Sequence, residues 1–286
     1  MKSGPDKTLE LPSGRKIPAL GQGTWRMGEH ASKRQAEIQA LQLGLELGLT
    51  LIDTAEMYGD GGAEKIIGEA IQGRREEVFL VSKVYPHNAT SAGVQAACQR
   101  SLRRLKTDYL DLYLLHWRGA VPLTETIGAF QALKKSGVIL DYGVSNFDKD
   151  DMEEAYPLPG GKQVVTNQVL YNLANRGIEW DLLPWCSDCR IPLMAYSPLG
   201  NNAAEQRKML NNPTMKLLAA RHDATPAQVA LAWLLHRNVI VIPKASNPEH
   251  VRENCAALDI TLAPQDLKDL DHAFPPPDEK VSLEIR

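Results

Sequence analysis

Apolar residues fall into short, β-branched runs that recur at fairly even spacing, with stretches of helical period between them. After an opening hairpin-like "LELPSGRKIPAL", eight runs read as strands: "ALGQGTW", "LTLID", "VFLVSKV", "LDLYLLHW", "DYGVSNF", "VVTNQVL", "PLMAYSP" and "VIVIPK". Between them Ile38, Leu41 and Leu45 share one helical face. So do Val94, Ala97, Cys98, Leu102 and Leu105, and then Ile127 and Phe130. Thr225-Pro226-Ala227-Gln228 has the form of an N-cap, a proline in the first turn and a capping-box glutamine, and Asn247-Pro248 opens a further helix. Strand and helix alternate throughout. Parallel strands need crossovers, and eight such units close most naturally into an α/β (β/α)8 TIM barrel, here with a short N-terminal β-hairpin. No Pro/Gly/Ser-rich linker divides the chain, so residues 1–286 read as a single domain.

Composition narrows the function classes. A charged fraction of 23% and a hydrophobic fraction of 43% are those of an ordinary globular protein. The formal net charge of -3 gives no general attraction to nucleic acid. The N-terminal "MKSGPDKTLELPSGRKIPAL" lacks the apolar region of a secretory signal, and no segment has the length of a transmembrane helix, so a cytoplasmic protein is expected. Four cysteines in a chain of this length make no disulfide framework, and reduced thiols are expected. The histidines form no H-E-x-x-H or H-x-H spacing, and no metal site is predicted.

Seven of the eight runs finish in a polar or aromatic residue that the strand pattern does not need: Asp53, Lys83, His116, Ser145-Asn146, Gln168, Tyr196 and Lys244. The C-terminal strand ends of a barrel converge on one face, which places these residues together with Tyr58, five positions after Asp53. A free phenol has a pKa of about 10, and lowering it by about three units requires about 4 kcal/mol. Lys83 in a dry pocket is suited to supply that, with Asp53 holding the ammonium in place and a neutral His116 orienting a substrate oxygen. Such a tetrad protonates a developing alkoxide and needs an external source of hydride.

The usual dinucleotide fingerprint is absent, because Arg26 stands at the third glycine position of "GQGTWRMG". A nicotinamide would be held instead by Ser145, Asn146 and Gln168 at its carboxamide, with Tyr196 stacking. Lys244 and the helix start at Asn247-Pro248 form an anion site.

These motifs, in this order and over essentially the whole chain, resemble the aldo-keto reductases. "LIDTAEMYGDGGAEKIIGEAI" looks like the family's D-T-A-x-x-Y-G segment, "VSKV" its lysine strand and "LDLYLLHW" its histidine strand, while "GVSNF", "NQVLYN" and "AYSPLG" look like its nicotinamide pocket. The resemblance implies NADPH-dependent carbonyl reduction by a monomer, with Tyr58 as general acid and Asp53, Lys83 and His116 completing the tetrad. It further implies cofactor contacts at Gly23, Thr24, Trp25, Asp53, Ser145, Asn146, Gln168, Tyr196, Ser197 and Leu199, and beyond these at Lys244, Ala245, Ser246, His250, Glu253 and Asn254. Trp25, Tyr58, His116 and Trp117 are expected to wall the substrate pocket. "LLPWC" and "IPKASNPEHVRENCAAL" look like bacterial members that reduce small aldehydes such as methylglyoxal. One departure stands out: the family's 2'-phosphate segment carries a serine and an arginine where this chain has Ala245 and His250. Losing a bidentate guanidinium weakens phosphate recognition, so NADPH is expected to be preferred with NADH tolerated.

Three other readings remain open at this level. The C-x-x-C of "PWCSDCR" resembles a redox pair, but it ends a helical pattern where redox cysteines begin one. Lys83 at a barrel strand end is also where a Schiff-base aldolase keeps its nucleophile. A cofactor-sensing barrel with little turnover is the reading from outside enzymology. Short segments after His116 and after "FPPPDEK" predict an open pocket with a broad preference for small carbonyls.

Overall fold

The computed structural model describes residues 7–285. The first six residues of the N-terminal stretch considered above lie outside the described residues. Two antiparallel strands, β1 (Thr8–Glu10) and β2 (Lys16–Pro18), form the opening hairpin. Eight parallel strands follow: β3 (Gly21–Gly23), β4 (Leu51–Asp53), β5 (Phe79–Val84), β6 (Leu110–Leu115), β7 (Ile139–Ser145), β8 (Val164–Leu170), β9 (Leu193–Tyr196) and β10 (Ile240–Val241), hydrogen-bonded in sequence order. Parallel bridges Leu20–Val241 and Gly23–Lys244 join the last strand to the first and close the barrel. Gly23 is required at this seam, since a Cβ there would stand 2.7 Å from the Ile242 carbonyl oxygen.

Helices α1 (Arg34–Glu46), α2 (Gly62–Ala70), α3 (Ser91–Leu105), α4 (Leu123–Lys135), α5 (Lys149–Ala155) and α6 (Leu182–Asp188) fill the crossovers from β3 to β9. After β9 come α7 (Ala203–Leu210), α8 (Pro213–Arg221) and α9 (Pro226–His236), and after β10 come α10 (Pro248–Ala256) and α11 (Pro264–Ala273). The capping box predicted at Thr225 is made by both Thr225 and Gln228, and Asn247 caps α10 as predicted. The helical stripes headed by Ile38, Val94 and Ile127 are buried against the outside of the barrel.

A second, smaller core fills the barrel's inside: Leu51, Phe79, Val81, Leu112, Leu114, Val165, Met194, Ile240 and Ile242, with Leu11 and Ile17 of the hairpin. The hairpin therefore plugs the N-terminal end. Arg15 of its turn ties the plug in place, donating to Asp111 at 2.7 Å and to Asp141 at 3.2 Å. Side chains alternate sides along a strand, so two residues beyond each inward apolar position the next inward residue appears at the open end. Leu51 is followed by Asp53, Val81 by Lys83, Leu114 by His116, Met194 by Tyr196 and Ile242 by Lys244. Strand β8 breaks this period. Tyr142–Val144 of β7 spans two steps while its partner Val164–Asn167 spans three, and this one-residue bulge turns Gln168 inward beside Ser145.

Ile17 is fully buried at the base of the barrel. Ile17→Ala is expected to lower the unfolding free energy by about 3 kcal/mol, a loss that urea titration would register without change in the helical circular-dichroism signature.

Candidate active site

At the open end, Lys83 Nζ donates three hydrogen bonds: to Asp53 Oδ2 at 2.8 Å, to the Thr54 carbonyl at 2.8 Å and to the Tyr58 hydroxyl at 3.2 Å. Three acceptors around one nitrogen suit the ammonium form. Burial pulls Lys83 below the ordinary lysine range and pushes Asp53 above the ordinary carboxylate range, while their mutual attraction works against both shifts. The second oxygen of Asp53 accepts from Gln168 Nε2 at 2.7 Å, a bond that the β8 bulge makes possible. Lys83 also lies 4.8 Å from the centre of the Tyr58 ring. The lysine is completely buried, whereas a Schiff-base lysine must be reached by its carbonyl substrate.

Tyr58 sits on the loop between β4 and α2, its ring edge-on to Trp25 at 4.9 Å and to His116 at 5.8 Å. Desolvation, aided by the nearby Lys83 charge, lowers the His116 imidazole to about 2. The ring is therefore neutral, and its buried Nδ1 has no hydrogen-bond partner among the described residues. Its neighbour Trp117 packs on it at 4.8 Å.

One cleft of about 340 Å³ runs from Trp25, Tyr58, His116 and Trp117 past Asp53, Ser145, Asn146, Gln168 and Tyr196 to Ser197, Leu199 and Lys244, with Gly23 and Thr24 in its wall. Sequence-predicted residues from seven strand ends thus meet, whereas Ala245, Ser246, His250, Glu253 and Asn254 are not among those lining the cleft. The amide set is extensively interlinked: Asn146 Nδ2 donates to the His116 carbonyl (3.0 Å) and to Ser145 Oγ (3.2 Å), its Oδ1 accepts from the Tyr196 hydroxyl (2.8 Å), and Ser145 Oγ donates to the Gln168 carbonyl (2.8 Å). Ala245, Ser246, His250, Glu253 and Asn254 follow Lys244 on the β10–α10 connection and on α10 itself. Lys244 Nζ donates to Ser246 Oγ at 2.9 Å. Desolvation and repulsion from Lys33 and Arg26 lower its pKa, while Glu37 and Glu29 oppose the shift, an environment that favours an incoming anion.

The cleft also includes residues not anticipated from sequence: Arg26, Met57, and Asn202, Ala203 and Gln206 at the start of α7. The α7 contribution had a signal in "NNAAE", since Asn202 Oδ1 caps the N–H groups of Ala204 and Glu205. Arg26, Asn146 and Ser197, each just beyond a barrel strand, hold positive φ angles of 63°, 57° and 48°. Such left-handed backbone in non-glycine residues is costly and clusters at functional sites.

The C-x-x-C cysteines lie at the end of α6, away from the cleft residues; Cys186 is buried and desolvation pushes its thiol to about 12, so it is not a nucleophile at neutral pH.

A model of the Aldo/keto reductase family matches residues 19–274. The chain belongs to that family. It is 52% identical over 280 residues to methylglyoxal reductase YeaE of Escherichia coli strain K12, covering 98% of this chain and 99% of that one. It is 32% identical over 258 residues to methylglyoxal reductase DkgB of Salmonella typhimurium, covering 87% and 90%. The crystal structure of an aldo/keto reductase from Klebsiella pneumoniae in complex with NADP and acetate superposes with a TM-score of 0.95 at 49% identity, covering 98% of this chain and 100% of that one.

The buried, neutral His116 makes stability depend on pH. The unfolded chain takes up a proton near pH 6.5 that the folded imidazole refuses down to about pH 2, so stability falls as pH drops through that window, by about 1.4 kcal/mol per unit from this group. Urea midpoints measured from pH 7 to pH 5 should decline, and His116→Gln should flatten the decline.

Proposed function

We propose that this reductase uses NADPH to convert small aldehydes and ketones, methylglyoxal and related 2-oxoaldehydes among them, to alcohols. The carrying observation is the three-way contact of Lys83 Nζ with Asp53, Thr54 and Tyr58, set beside a neutral imidazole at the mouth of a barrel.

The cleft suits a nicotinamide dinucleotide. Its amide-rich middle, Asn146 and Gln168 with Ser145, offers carboxamide partners beside the tetrad, the Tyr196 ring offers a stacking face, and its far end offers the Lys244 ammonium next to the N-terminus of α10. Ala245, Ser246, His250, Glu253 and Asn254 would take the adenosine end, and Gly23, Thr24, Trp25, Ser197 and Leu199 the wall between. Bound there, the dihydronicotinamide supplies hydride to the carbonyl carbon. Tyr58 Oη gives its proton to the carbonyl oxygen as negative charge gathers on that atom. The Lys83 ammonium stabilises the phenolate left behind, and Asp53 together with the Thr54 carbonyl holds that ammonium in position. His116, neutral, donates an N–H to the same carbonyl oxygen and fixes its approach. Trp25 and Trp117 form the apolar walls that keep water from the reacting oxygen.

The same reading makes residues 1–286 one catalytic domain, acting as a monomer in the cytoplasm. Among the described residues no helix is long and apolar enough to cross a membrane.

Tyr58→Phe is expected to lower kcat with methylglyoxal by about 10³-fold while NADPH still quenches tryptophan emission on binding, measured by stopped-flow absorbance and fluorescence titration. Parallel titrations with both nicotinamides should show tighter binding of NADPH and measurable turnover with NADH, because Ala245 and His250 remove a hydroxyl and a guanidinium from the phosphate end. Absence of any NADH turnover would contradict this weakening.

A further inference from the structure

Glu56 is a buried carboxylate that touches no reacting group. It occupies the first unspecified position of the D-T-A-x-x-Y-G segment, two residues before Tyr58. Its Oε1 accepts from the Tyr85 backbone N–H at 2.9 Å and from Asn88 Nδ2 at 3.0 Å, and its Oε2 accepts from Arg100 of α3 at 3.3 Å. Its own N–H points to the Lys83 carbonyl at 3.3 Å. One residue thus joins the loop carrying Tyr58, the end of the lysine strand and the Tyr85–Asn88 turn.

The turn backs the substrate side of the cleft. The Tyr85 ring meets Trp117 edge-on at 5.6 Å and lies 6.4 Å from His116, while His87 packs on it at 4.6 Å. Pro86 of the same turn packs so closely on Gly119, after Trp117, that a Cβ at Gly119 would come within 2.6 Å of the proline ring. Burying a carboxylate is unfavourable unless donors compensate, and here every donor comes from the turn or from the helix that follows it.

We infer that Glu56 is a positioning residue for the carbonyl substrate: its carboxylate fixes the Tyr85–Asn88 turn and, through the Tyr85 ring, the placement of Trp117 and His116 opposite Tyr58. The inference rests on the carbonyl-reductase reading above for its kinetic consequence, but the clamp itself has a spectroscopic one. With the carboxylate gone, the turn keeps two unsatisfied donors, Trp117 loses its backing ring, and the wall loosens. NADPH binding, which uses the other side of the cleft, is unaffected.

The test compares the natural protein with Glu56→Ala and Glu56→Gln. In Glu56→Ala, KM for methylglyoxal should rise about tenfold with kcat reduced only about threefold. The Kd for NADPH should stay the same, and acrylamide quenching of tryptophan emission should increase, the increase disappearing in a Trp117→Phe background. Glu56→Gln should recover most of the change, because the amide oxygen can still accept from Tyr85 and Asn88. A folded Glu56→Ala with natural KM and natural quenching would overturn the inference. So would one that loses NADPH affinity, kcat and thermal stability together, since that is a general structural defect. Should Glu56→Ala fail to fold, Asn88→Ala removes one donor from the clamp and must raise KM in the same direction, or the clamp is wrong. Turnover of no aldehyde by the natural protein would sink the reductase reading alone, leaving the quenching comparison to decide the clamp.

Discussion

The buried ion pair between Lys83 and Asp53 organises this molecule. A charged nitrogen with no exposure at the end of a barrel strand is tolerable only if every N–H finds an acceptor, and the three acceptors come from Asp53, Thr54 and Tyr58. Removing one member of such a pair typically costs about 3–5 kcal/mol, because the survivor is left as an uncompensated charge. The requirement fixes the β4–α2 loop, sets the phenol against the ammonium, and draws Gln168 across from β8 to hold the remaining carboxylate oxygen. Lys83 in turn adds its charge to the desolvation that keeps His116 neutral.

Much of this was legible in the chain. Inward positions on a barrel strand recur every second residue, so an apolar run that ends in Asp, Lys or His two places beyond its last inward Leu or Val announces a side chain at the open end. Reading the polar or aromatic residue that ends each run found Asp53, Lys83, His116, Tyr196 and Lys244, and the fold shows each to stand two places beyond an inward apolar residue. It also brought Gln168 into view, but for a reason hidden in the sequence: the strand needs an extra residue to turn that amide inward, and nothing in "VVTNQVL" marks a bulge. The N-terminal hairpin was visible as a hairpin and not as a plug, because which end of a barrel it covers depends on tertiary packing.

What stayed hidden lies mostly in loops, where neither period applies. Met57, Arg26 and the first turn of α7 enter the cleft from segments whose conformation depends on long-range contacts. Asn146 and Ser197 take up left-handed backbone without the glycine that usually signals it. The amide cluster shows a further limit of reading residue types: Ser145 and Asn146 look like free donors in the sequence, whereas in the fold much of their bonding capacity ties neighbouring strand ends together.

Below Asp53 the barrel is filled by Leu51, Phe79, Val81, Leu112, Leu114 and Ile17, an apolar column. On the proposed reading, a proton given up by Tyr58 is replaced from the cleft that its side chain lines. That cleft would then serve proton return, alcohol release and carbonyl entry alike, since the hairpin covers the other end of the barrel.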